Sequence, residues 1–333
     1  MTTQESIPAG AHIGHAHLKV ADLDRQIAFY HDILGFDVIQ RLGDMAAFLS
    51  AGGYHHHLGM NTWESRNGQP PARGTTGLYH IAINYPTRRD LAIAVKRLLE
   101  AGWTLDGSSD HLTHEAIYLS DPESNGLELA WDRDPSQWRR PDGTIVMGNR
   151  PLDFQSLLAE AEGADWPDGR APEGTRIGHV HLKVADIERA VHFYRDLLGF
   201  DLIARYGPSA AFLSAGGYHH HLGFNTWESQ GGQPPAPGTT GLYHFAINYP
   251  TRQDLAGAVK RLFDNGWTID GLNDHGTHMA IYLHDPDFNG IELAWDREQS
   301  EWPRNADGSI NLTSGKPFDI QAFVAEAESP VTA

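Results

Sequence analysis

Histidine is the unusual residue of this chain: 20 occur among 333 residues, against 13 Phe and 11 Tyr, while cysteine is absent. Metal chemistry must therefore rest on imidazole and carboxylate, because disulfides, thiolate zinc knuckles, iron–sulfur clusters and thiol nucleophiles all need sulfur that the chain lacks. Three segments with strand-like alternation carry such groups. In Ile13–Val20 the residues Ala16, Leu18 and Val20 take one face, and His15, His17 and Lys19 take the other. In Leu78–Asn84 the apolar face holds Tyr79, Ile81 and Ile83, which aims His80 the opposite way. In the hairpin Ala116–Trp131, Ile117, Leu119, Leu127 and Leu129 share a face, and Tyr118 and Glu128 point away from it. These strands offer His15, His80 and Glu128 to one hollow. Two imidazoles and a carboxylate are the donors of a facial triad, which grips a divalent first-row metal and leaves about three coordination positions open. His17 shares the face of His15, and periodicity does not choose between them.

The set recurs. Ile13–Asp22 is repeated almost identically as Ile177–Asp186, 164 residues on, and the offset holds through Tyr54–His57, Tyr79-His80 and Gly126-Leu-Glu128. The second half thereby presents His179, His244 and Glu292. A repeat of this length is a duplicated domain, since solenoid periods run from ~20 to 50 residues. The Pro- and Gly-rich stretch Trp166–Gly174 reads as the linker, dividing the chain into domains 1–165 and 166–333.

Each half also reads as two βαβββ modules. After the first strand, Asp22 caps a helix with the stripe Leu23, Ile27, Tyr30 and Leu34, which Gly35 ends; strands are expected near Asp37–Gln40, Met45–Leu49 and His55–Asn61. The order then repeats. Leu78–Asn84 precedes a helix that opens on a capping box of Thr87 and Asp90 and closes at Gly102, followed by strands at Trp103–Leu105, Ala116–Leu119 and Leu127–Trp131. Short acidic helices, Asp153–Glu162 and Asp319–Glu328, follow each half.

The charge balance narrows the partners. Forty-three acids against 25 Lys plus Arg give a net charge of −18, a field that repels phosphate backbones and anionic lipid, so neither nucleic acid nor a membrane surface is expected. No stretch approaches the ~20 apolar residues of a membrane span, and Met1–Gly14 lacks a basic start and an apolar run, which predicts a cytoplasmic protein.

Taken together, Ile13-Gly-His15 seven residues before Asp22, the Phe29-Tyr30 to Leu34-Gly-Phe36 helix end, Tyr79-His80, and Tyr118-Leu-Ser-Asp-Pro with Asn125-Gly-Leu-Glu128 resemble the vicinal oxygen chelate superfamily. Within it the chain is most similar to the type I extradiol (catechol 2,3-) dioxygenases, as a tandem duplication. The resemblance implies an α+β fold in which the four βαβββ modules form two cupped mixed-sheet barrels, each around one divalent metal. It favours His15 over His17 and implies the metal ligands His15, His80 and Glu128, with His179, His244 and Glu292 in the second half. Whether neighbouring or exchanged modules share a cup stays open.

The same resemblance implies catalytic residues beside the metal. Tyr118 stands ten residues before Glu128, as in extradiol enzymes, and Tyr282 repeats it. His111 and His275 resemble the His before the final hairpin, with an interval about two residues shorter than the family's. His56 and His220 match the remaining His, although simple strand alternation through His55–Asn61 would turn His57 inward instead. His57 is then the rival, and as a fourth ligand it would favour a glyoxalase-like isomerase or epimerase. His114 and His278 read equally as entrance or surface residues. The expected cofactor is Fe(II), with Mn(II) or another divalent metal as the alternative, and the expected partners are a small aromatic diol and O2. A small-molecule-binding resistance protein is the third reading. Two complete sites in one chain further imply a monomer that mimics a dimer, with further homo-oligomerisation open.

Overall fold

The structure is a computed structural model that describes residues 6–138, 140, 142–313 and 315–328; the outer ends of the two expected domains, 1–5 and 329–333, lie outside the described residues. The first module runs β1 (His12–Lys19), α1 (Leu23–Ile27), β2 (Asp37–Leu42), β3 (Ala46–Ser50) and β4 (Leu58–Asn61). The second runs β5 (Gly77–Asn84), α2 (Arg88–Glu100), β6 (Gly107–Asp110), β7 (His114–Ser120) and β8 (Gly126–Asp132), and α3 (Phe154–Ala159) follows it. The second repeat returns the same order. It comprises β9 (Arg176–Lys183), α4 (Ile187–Val191), β10 (Asp201–Tyr206), β11 (Ala210–Ser214), β12 (Leu222–Asn225), β13 (Gly241–Asn248), α5 (Arg252–Asp264), β14 (Gly271–Asp274), β15 (His278–His284), β16 (Gly290–Asp296) and α6 (Ile320–Ala325).

Local chemistry sets these elements. Asp22 caps α1 by accepting from the Arg25 N–H, and Thr87 caps α2 by accepting from the Asp90 N–H. Beyond Ile27 the helix continues as a π-helical turn, Ala28–Ile33, in which the Leu34 N–H bonds the Phe29 carbonyl five residues back. That wider turn buries the adjacent rings of Phe29 and Tyr30 together, and the Tyr30 hydroxyl donates to Asp121 at 3.2 Å. Gly35 then adopts φ +76°, where a Cβ would stand 2.8 Å from the Ala171 nitrogen, so only glycine fits. Two expected strands are displaced. Residues 103–106 belong to no strand, and the strand forms at Gly107–Asp110; β4 begins at Leu58 because 51–57 turn through Gly52 and Gly53, both at positive φ. The linker is also no loose tether: Trp166 is buried, stacks on Tyr85 at 5.5 Å and donates its indole N–H to Asp90.

The α+β class is as expected: two eight-stranded mixed sheets, ordered β14-β15-β16-β13-β1-β4-β3-β2 and β10-β11-β12-β9-β5-β8-β7-β6. Each sheet crosses the repeat boundary. β1 pairs with β13 and β5 with β9, both antiparallel, so the first cup joins the first and fourth modules and the second cup joins the middle two. The division at 165/166 marks the sequence repeat, and neither sheet stays on one side of it. Apolar strand faces turn outward to the helices, where Leu18, Ile81, Leu91 and Leu98 are fully buried. No helix among the described residues is long and apolar enough to cross a membrane.

Candidate metal centre

Exchange of modules regroups the expected ligands. His15, His80 and Glu128 do not share a hollow; His15 meets His244 and Glu292 in the first cup, and His80 and Glu128 meet His179 in the second. The reason lies in the pairing: β1 is hydrogen-bonded to β13 and not to β5, which brings His244, not His80, to its side. All six side chains are buried. Strand irregularities help to aim them, since the β1–β13 register slips between Ile13 and Ala16, around His15, and the β5–β9 register slips beside His80.

The three donor atoms form a near-equilateral triangle. In the first cup His15 Nε2 is 3.1 Å from His244 Nε2 and 3.4 Å from Glu292 Oε2, and His244 Nε2 is 3.2 Å from the same oxygen. The second cup repeats it at 3.0 Å for His80–His179, 3.3 Å for His80–Glu128 and 3.5 Å for His179–Glu128. Cis donors at ~2.1 Å from one octahedral ion stand about 3 Å apart, so a single ion fits each face. Two buried imidazole nitrogens facing each other at this distance make, at best, one hydrogen bond; an ion would satisfy both. Protonation agrees. Burial pushes His80 down to about 3 and lowers His244, while the carboxyls of Glu292 and Glu128 stay well below their usual range: burial opposes this, but the adjoining imidazoles of His15 and His179 outweigh it. Neutral His80 and His244 beside ionised Glu128 and Glu292 suit a cation.

His17, two residues beyond His15, is held elsewhere, its Nε2 3.0 Å from Asn61 Nδ2, and forms part of the cavity wall. The cavity of the first cup encloses about 460 Å³. Phe48, Trp63 and Tyr243 supply aromatic walls, with His56 and His275 inside. His56 faces the cavity because the chain turns before β4, so strand alternation does not govern His55–His57. His57 points away, its Nδ1 3.0 Å from Ser50 Oγ and 3.2 Å from the Ala51 nitrogen. The structure brings Tyr282 to His275, hydroxyl to Nε2 at 2.9 Å, and Tyr118 to His111 at 2.7 Å.

Other residues matter more than the sequence suggested. His278 and His114 are buried, not surface residues: their Nε2 atoms lie 3.1 Å and 3.0 Å from the second oxygens of Glu292 and Glu128. Behind His56 runs a chain, His56 Nδ1 to His55 Nδ1 at 2.8 Å and His55 Nε2 to Asp296 Oδ1 at 3.1 Å. Tyr54 and Asn248 hold the other oxygen of Asp296 at 2.7 and 2.8 Å. His220, His219 and Asp132 repeat this chain at 2.9 and 2.9 Å. The signal available in the sequence was the strict +164 recurrence of the three-histidine run and of Asp132/Asp296.

One prediction arises from the packing around the ligands. A Cβ at Gly290 would stand 2.0 Å from the Tyr243 carbonyl oxygen, between the strands that carry His244 and Glu292. Gly290→Ala is expected to cost about 1–3 kcal/mol and to empty the first centre, measured by thermal melting and metal content.

The family model described as Glyoxalase/Bleomycin resistance protein/Dioxygenase superfamily matches residues 12–129 and 176–293. A catechol-2,3-dioxygenase of Bacillus subtilis is 40% identical over 267 residues, covering 80% of this chain and 92% of the relative. The metapyrocatechase of Geobacillus stearothermophilus is 24% identical over 307 residues, 88% of this chain and 83% of its own. In fold, the chain is similar to glyoxalase I from Zea mays, with a TM-score of 0.53 and 18% identity, over 86% of this chain and 92% of that one. Two matched repeats, and two buried His/His/Glu triangles inside the cups that the repeats share, place the chain in the Glyoxalase/Bleomycin resistance protein/Dioxygenase superfamily.

Proposed function

We propose that the chain is an extradiol dioxygenase with two centres, each opening a catechol-type ring with O2 on Fe(II); Mn(II) is the other metal the donor set suits. The observation that carries the reading is a base built beside each triad: the His56 ring lies 4.1 Å from the ring of ligand His15, faces the cavity and is backed by His55 and Asp296. The likeness to the Bacillus subtilis catechol-2,3-dioxygenase supports the same chemistry. When bound, the metal would chelate both hydroxyls of the diol, acidify them and bring O2 to the same face.

The chain's own residues supply the proton handling. Asp296 accepts only hydrogen bonds; burial pushes its pKa up, but the bond from His55 outweighs that and holds it at about 2. Its partner atom, His55 Nε2, must then carry the proton, so His55 Nδ1 accepts from His56 Nδ1–H and His56 Nε2 is left with a bare lone pair. Burial, and then the neighbouring His15, hold His56 well below its ordinary value and therefore neutral. A neutral imidazole of fixed tautomer beside the diol is a general base, and the imidazolium it becomes returns the proton to the opened product. Tyr282, bonded to His275, stands directly across the β15–β16 pair from Glu292 and lines the same cavity, where it would orient a substrate. Trp63 and Tyr243 at the cavity wall suit a flat ring.

His57 is turned to Ser50 and the Ala51 N–H, so it does not supply the fourth ligand that would favour an isomerase. The test is oxygen uptake by protein purified without oxygen and loaded with Fe(II). One O2 consumed per catechol supports the reading, and activity on an enediolate substrate without oxygen uptake contradicts it. Removing the remote carboxylate is also informative. Asp296→Asn together with Asp132→Asn is expected to lower kcat about 10- to 100-fold at unchanged metal content.

A further inference from the structure

A second hollow, of about 450 Å³, lies where both repeats contribute the same residues: Lys19 with Lys183, Pro71 with Pro235, Thr76 with Thr240. Lys19 ends β1 in one sheet and Lys183 ends β9 in the other. Both side chains are half-buried, and among the described residues neither ammonium has an ion-pair or hydrogen-bond partner. Burial lowers both pKa values; Glu64 near Lys19 and Glu228 near Lys183 act in the opposite sense but form no contact pair. Glu123 lines the hollow too, yet its oxygens are spent on the Ala21 and Asp22 N–H groups and on Arg25.

Thr240 and its repeat mate Thr76 are buried behind the hollow, so polar contacts to a ligand there rest on the two lysines. We propose that the hollow binds a small linear dicarboxylate, one carboxylate on Lys19 and the other on Lys183. One cation from each sheet matches a ligand charged at both ends. Pro70, Pro71, Pro234 and Pro235 give rigid apolar walls for the methylene spacer between those ends. The net charge of −18 makes this pairing selective, since most of the surface repels such a molecule.

Calorimetric titration of the full metal-loaded chain with succinate, and separately with inorganic phosphate, tests the assignment. Expected is saturable binding of one succinate per chain, at least tenfold weaker (about 1.4 kcal/mol) in Lys19→Met and in Lys183→Met. Phosphate, with its charge at one point, binds more weakly than succinate. No saturable heat with succinate, unchanged affinity in both lysine variants, or phosphate binding as tight as succinate overturns the proposal. Thermal melting of each variant reports folding, and Lys19→Gln and Lys183→Gln, which remove the same charges but keep a polar side chain, supply the readout if a methionine variant fails to fold.

Discussion

Replacing His15 and His244 together is expected to leave one metal ion bound per chain, and replacing His15 and His80 together to leave none. The two double variants remove the same number of imidazoles. They differ only in whether both losses fall on one centre, because β1 pairs with β13 while β5 pairs with β9. If each half of the chain formed its own cup, the outcomes would be reversed. Oxygen uptake should follow the metal: roughly half the wild-type rate for His15→Ala/His244→Ala, and background for His15→Ala/His80→Ala, since the metal supplies the site at which both reactants meet. Metal analysis after gel filtration, with far-UV circular dichroism as the folding control, reads the result.

The second large effect concerns the base. His56→Gln with His220→Gln is expected to lower kcat by about 10²–10⁴-fold while two metal ions stay bound and KM changes little. The histidine next to it should behave differently. His57 is tied to Ser50 and the Ala51 N–H inside the protein, so His57→Gln should cost stability, about 1–3 kcal/mol, and leave the chemistry of the folded fraction intact. Steady-state oxygen uptake and chemical denaturation separate the two. A larger kcat loss in His57→Gln than in His56→Gln would show that the tautomer chain ending at Asp296 is not what prepares the base.

Much of the fold was legible because its determinants are local. Alternation in Ile13–Val20, the Asp22 and Thr87 caps, and the glycine that ends each helix are short-range signals, and they place β1, β5, α2 and the start of α1 within a residue or two, although not the π-helical turn that follows Ile27. The triad was legible in part for a related reason: each residue lies on the inward side of one strand, but alternation left His15 and His17 on one face and only the family resemblance favoured His15. Which strands meet was not legible, because β1 could pair with β5 or β13 at equal cost in local pattern, the repeats being nearly identical. His56 against His57 failed to resolve for a different reason. The two positive-φ glycines at 52 and 53 delay β4 to Leu58, so the parity argument was applied to residues outside the strand. His114 and His278 were misjudged because their burial depends on Glu128 and Glu292, a contact across the hairpin that composition does not reveal.

Anomalous diffraction at the iron edge, from crystals of protein loaded with Fe(II) without oxygen, bears most directly on these centres. Two peaks per chain are expected, one about 2.1 Å from His15, His244 and Glu292 and one equally close to His80, His179 and Glu128. Cups without a peak, or an ion bridging His15 to His80 or Glu128 within one half, would contradict the shared centres described above.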